Sequence, residues 1–163
     1  MIEPTSYLRF ILIFTTLFFW LLNCSSENRY LPEKLLDYKR INLLRGKEAK
    51  DVVDHMHLKE VTPEINRIGI YQNVSGPLTI YISEYTRENT AKSEMRKMAS
   101  KISDGNNPFV GGETVLINGK QVLRYFGMGQ THFIFTDREN MLWLSVNTVR
   151  GKAIIEHYLN FIK

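Results

Sequence analysis

The sequence predicts an α+β protein, a single antiparallel sheet of about six strands with helices packed on both faces. Three observations lead there. The last third carries two hairpin signals. Asn118-Gly119 separates the strand-like runs 114–117 and 121–126, and Asp137-Arg138-Glu139-Asn140 separates 131–136 from 141–146. Several of these runs are apolar on both faces: Phe133 and Phe135 oppose Ile134, and Leu142 and Leu144 oppose Met141 and Trp143. Such a sheet needs cover on both sides. Two segments then supply amphipathic stripes at helical spacing. They are Ala91, Met95, Met98 and Ile102 within 87–103, and Ile154, Ile155, Tyr158 and Phe161 within 152–162.

In chain order, Leu31-Pro32-Glu33 opens a first expected helix, with Pro at an early position that tolerates it. Leu35, Leu36, Ile41, Leu43 and Leu44 give it a rough apolar face, and Gly46 ends it. A second helix is expected over 47–58, with Ala49, Val52, Val53 and Met56 at helical spacing. Strands follow at 68–71 and 78–85, joined by the turn-rich Gln72-Asn73-Val74-Ser75-Gly76-Pro77. The helix 87–103 stops at Gly105, and Gly127-Met128-Gly129 breaks the strands of the last third before the closing helix.

The amino terminus reads differently. Phe10 to Leu22 is a run of 13 residues without a charge, preceded by Arg9. A spanning helix takes about 20 apolar residues, so the run has the length of a signal-peptide core. It ends in Leu21-Leu22-Asn23-Cys24, followed by polar Ser25 and Ser26. This resembles the lipobox of bacterial lipoproteins, with Leu at −3 and the lipid-bearing cysteine at Cys24. Asn23 departs from the usual small residue at −1 and is similar to the relaxed lipoboxes of spirochaetes. The resemblance implies removal of 1–23, a lipidated tether over 24–30, and export to the cell envelope, with the outer membrane favoured. The remaining 31–163 form one domain. That domain, from residue 67 on, is similar in its order of elements to the Mog1/PsbP-like arrangement. Members of that fold serve mainly as binding or assembly factors.

Composition excludes several classes. Cys24 is the one cysteine, so neither a disulfide scaffold nor a multi-cysteine zinc site fits. No Gly-x-Ser-x-Gly elbow or nucleotide loop is present, and no residue is assigned a catalytic role or a cofactor. The net charge of +4 is mildly basic. Lys92, Arg96, Lys97 and Lys101, with Lys34, Lys39, Arg40, Arg45, Lys47 and Lys50, suit anionic head groups, although a solvated face explains them as well. Nucleic acid is not an expected partner of an exported chain. The expected partners are the membrane, through Cys24, and an envelope protein or small ligand.

Candidate site residues are His57, His132 and Trp143. Asp54-His55-Met56-His57 is rich in ligand-type side chains, but His55 and His57 lie about 200° apart on a helix, which does not suit one metal. One packed and one exposed histidine is the plainer reading. His132 follows the double-glycine break. Pairing about the 137–140 turn places residue 132 opposite 145 and residue 134 opposite 143, so Trp143 shares the face of His132. The sharp expectation is a cavity lined by His57, His132 and Trp143. The plain one is a strand histidine satisfied by a backbone carbonyl, with the tryptophan as core. Two functions follow: a non-catalytic ligand- or protein-binding domain, or a metal or small-ligand site built on His57 and His132, of which a hydrolytic site is one form.

Overall fold

A computed structural model describes residues 29–57, 65–105 and 107–163. The chain divides into two compact units, Met1–Pro32 and Glu33–Lys163. In the first, the Arg29 guanidinium lies 5.4 Å from the centre of the Tyr30 ring. The expected leader over 1–23 and the expected lipid site at Cys24 lie outside the described residues, as do 58–64 and Asn106.

The second unit is one open antiparallel sheet of eight strands with three helices. Its elements are β1 (Lys34–Leu35), β2 (Tyr38–Arg45), α1 (Gly46–His57), β3 (Ile65–Asn73), β4 (Gly76–Glu84), α2 (Glu88–Ser103), β5 (Val110–Ile117), β6 (Lys120–Gly127), β7 (Gln130–Asp137), β8 (Asn140–Asn147) and, after a 3-10 turn over Thr148–Arg150, α3 (Gly151–Phe161). The strand order is β1-β2-β3-β4-β8-β7-β6-β5. The hairpin β3–β4 and the three-hairpin run β5 to β8 are therefore joined where β4 meets β8.

The expected count of about six strands is corrected to eight, and the first expected helix is the source. Residues 34–45 form β1 and β2. Leu36 takes a positive φ of 54° in the turn between them. The register slips between Arg40 and Asn42, which leaves Ile41 in a bulge at 62% exposure. A bulge breaks period-two alternation, so the apolar positions of this strand imitate a loose helical face. The other elements fall where the periodicity places them, within a few residues at their ends.

Register defines the two faces. Leu44, Ile68, Tyr81, Trp143, Ile134 and Leu123 form one continuous cross-strand row. α1 packs Ala49 and Val53 on its Leu44–Ile68–Tyr81 end. α2 packs Met95, Met98 and Ile102 on its Trp143–Ile134–Leu123 end. By alternation Ile80, Ile82, Phe133, Phe135, Leu142 and Leu144 point to the opposite face, and all are buried. There α3 covers them, with the Tyr158 and Phe135 rings 6.4 Å apart. Each such side chain, withdrawn from water, contributes about 1.5–3 kcal/mol before conformational entropy is set against it.

Candidate functional site

The strand pairing around residues 137–140 brings His132 opposite Ser145 and Ile134 opposite Trp143. His132 and Trp143 therefore lie on the α2 face, one pair apart. His132 is 1% exposed. The Trp143 indole donates its N–H to His132 Nδ1 at 3.1 Å, and the Ser145 hydroxyl lies 2.9 Å from the same nitrogen. An indole N–H only donates, so Nδ1 is the acceptor and the proton sits on Nε2. Nε2 in turn donates to the Gly127 carbonyl at 3.1 Å. Burial lowers the imidazole's pKa from its ordinary value, partly offset by the Gly127 carbonyl, which favours the charged form. The ring is a neutral, saturated group.

Phe109 seals this cluster. Its ring meets His132 edge-on at 4.8 Å and Trp143 at 5.5 Å. The loop reaches that position because Gly127 has no side chain: a Cβ there would stand 2.8 Å from both the Pro108 carbonyl and the Phe109 ring. The Asn107 side chain fixes the approach, accepting the Phe109 N–H at 2.9 Å and donating to the Ile102 carbonyl at 2.6 Å. The close approach that the bare Gly127 permits is thus made by the chain's own Pro108–Phe109 backbone.

His57 ends α1, and its side chain lies outside the described residues. The helix itself stands over β2 and β3, about three strand spacings, or 14 Å, from β7. His55 is exposed. The neighbouring carboxylates are held by lysines one turn earlier, Asp54 by Lys50 at 2.6 Å and Asp51 by Lys47. Among the described residues no three His, Cys, Asp or Glu side chains are placed to hold a metal ion.

On the opposite face, sequence reasoning missed a groove. α3 covers β7 and β8 but leaves β5 and β6 partly open. Between them runs a cleft of about 580 Å³. Its floor is Val115 and Ile117 of β5, Arg124 and Phe126 of β6, and Thr131 and Phe133 of β7. Its wall is Thr148, Gly151, Lys152, Ile155 and Glu156. Arg124 is engaged through Nε and Nη2 by Glu113, and its guanidinium lies 5.5 Å from the Phe126 ring centre. Lys152 lies 4.0 Å from Glu156. The cleft thus offers polar and apolar surface in about equal measure, and its charged side chains are paired.

One end of the cleft is closed by the β5–β6 turn. Asn118 holds φ 50° there, a left-handed conformation that Asn tolerates better than most residues. Its Nδ2 donates to the Glu156 carbonyl at 3.0 Å and to Asn160 Oδ1 at 3.1 Å, tying the hairpin tip to α3. The Asn-Gly turn was legible in the sequence, but its bond to a helix 38 residues away was not.

No protein family, curated protein or solved structure matches the chain.

Proposed function

We infer that this is an exported, lipid-anchored binding domain of a bacterial cell envelope, and that its ligand or partner occupies the cleft between α3 and the β5–β6 hairpin. The observation that carries the reading is the contrast in accessibility. The cleft is open, mixed in polarity and about 580 Å³, within the usual range of ligand pockets. The imidazole of His132 is sealed beneath Phe109, with both nitrogens bonded. Metal binding or general-base work needs a free lone pair, which this tautomer does not offer. A sheet with helices on both faces is also in keeping with the resemblance to the Mog1/PsbP-like arrangement, whose members are mainly binding or assembly factors. The lipobox-like Leu21-Leu22-Asn23-Cys24 supports the anchor.

Two measurements test this. Native mass spectrometry of the protein released gently from its own membranes is expected to show a bound molecule or partner that Ile117→Glu lacks. An adduct-free wild type, or one carrying the same adduct as the variant, would sink the cleft reading. Cys24→Ser is expected to abolish radiolabelled fatty-acid incorporation and leave an unprocessed precursor. A variant that matures to wild-type mass and remains labelled would sink the anchor reading.

A further inference from the structure

The two edges of the sheet are built differently. At the β1 edge, the two-residue β1 pairs Lys34 against Lys39 and covers only the start of β2; beyond it, Arg40 and Arg45 bring positive charge and the Arg40–Asn42 bulge distorts the strand. These are the devices by which an edge repels further strands. At the β5 edge, the irregularity is confined to Val110–Glu113. Thr114-Val115-Leu116-Ile117 is regular, uncharged and free of proline, and Leu116 is 73% exposed. Among the described residues no strand pairs with this edge.

The direction of its backbone groups follows from the turn. β5 and β6 are joined by the two-residue turn Asn118-Gly119, which makes Ile117 and Lys120 the flanking pair. In such hairpins the flanking pair exchanges both hydrogen bonds. By alternation Val115 and Ile117 bond inward to β6, while the N–H and C=O of Thr114 and Leu116 point outward.

The geometry points to a second copy of this chain as the occupant of that edge, paired antiparallel about a two-fold axis through Val115. In this register Thr114 of each copy faces Leu116 of the other. The outward groups of both strands meet in four backbone hydrogen bonds, and Val115 faces its own counterpart as the close, non-hydrogen-bonded pair. Glu113, the nearest charge, falls opposite Ile117 and is already held by Arg124, so no like charges oppose each other. An axis normal to the sheet keeps both α3 helices on one face. The two clefts, each floored by Val115 and Ile117, then join across the seam into one trough walled by two helices. Each cleft is a half-site completed by the partner copy. This pairing does not depend on what the cleft binds.

Cysteine crosslinking of the full chain in its membranes tests it, with the wild type under the same mild oxidant as background. Across a non-hydrogen-bonded pair the Cα atoms lie about 4.5 Å apart, within disulfide range. Val115→Cys is expected to give a band at twice the chain mass. Thr114→Cys and Leu116→Cys should stay at background when alone and crosslink when co-expressed, because each faces the other across the axis. Adding Thr114→Pro to Val115→Cys removes an outward N–H while sparing the β5–β6 ladder, and should abolish the band. No crosslink at any position, equal crosslinking of all three single variants, a Val115→Cys adduct with a different protein, or a band that survives Thr114→Pro would each overturn the pairing. No arm requires a ligand, so failure here is distinct from failure of the cleft reading.

Discussion

The His132–Trp143 cluster and the α3 cleft lie on opposite faces of the same strands, and they differ in what is left unsatisfied. In the cluster every polar group has a partner: indole to imidazole, hydroxyl to imidazole, imidazole to the Gly127 carbonyl. Phe109 completes the apolar cover. In the cleft, Val115, Ile117 and Phe126 of two strands remain partly exposed beside a helix that does not reach the sheet edge. A histidine and a tryptophan are the residues one searches for first in a sequence, yet here they make a closed joint. The opening lies among Val, Ile, Phe and Thr and a few paired charges, a mixture with no pattern in the sequence. Burial and hydrogen-bond saturation separate a structural cluster from a site better than residue type does.

The largest effect is expected at the cluster. Trp143→Ala removes a large ring that packs against the Ile102–Tyr125–Ile134 cluster and meets Phe109 edge-on, and it deletes one of the two hydrogen bonds to His132 Nδ1. Urea unfolding should show a loss of about 3 kcal/mol, the lower end for truncating a large aromatic, because Trp143 is only partly buried. A loss below about 1 kcal/mol would mean that this region is not the structural joint described here.

A second, smaller effect depends on pH. Burial holds the folded-state pKa of His132 below its ordinary value of 6.5, so the unfolded chain takes up the extra proton. The stability this contributes is complete above pH 6.5 and is lost as the pH falls through the folded value. Protonation also turns Nδ1 into a donor facing the Trp143 N–H. The difference in unfolding midpoint between wild type and His132→Gln should therefore shrink as the pH falls below 6.5. A difference that stays constant from neutral pH to pH 5 would break the picture of a sealed neutral ring.

The smallest effect tests the cleft side. Asn118→Gly preserves the left-handed turn and removes both bonds to α3, and it should cost about 1 kcal/mol. Amide exchange should quicken at the end of α3 and in the β5–β6 turn, and stay unchanged at His132. Equal acceleration at both places would mean that the two regions are one cooperative unit.

Periodicity was sufficient for most of the architecture. The stripe Ala91, Met95, Met98, Ile102 announced α2, the turn at 118–119 announced the β5–β6 hairpin, and the turn at 137–140 fixed the register that brings Trp143 beside His132. It failed at residues 34–45, because a bulged edge strand loses the alternation by which strands are recognised, and Ile41 among its apolar residues mimics a helix face. Candidate chemistry was legible by type at His132 and Trp143, but its meaning depended on Phe109, which nothing in the local sequence ties to either.

By itself, then, the sequence determined most of the local elements from residue 46 on and the hairpin register, since each depends on neighbours within a turn or a strand pair. Tertiary structure alone decided that His132 is saturated, that Asn118 clamps α3, and that a cleft stays open beside β5. These follow from which residues distant in the chain meet, and from where a helix of eleven residues stops short of covering an eight-stranded sheet. Packing sets that boundary, and packing depends on the assembled layers rather than on any one segment.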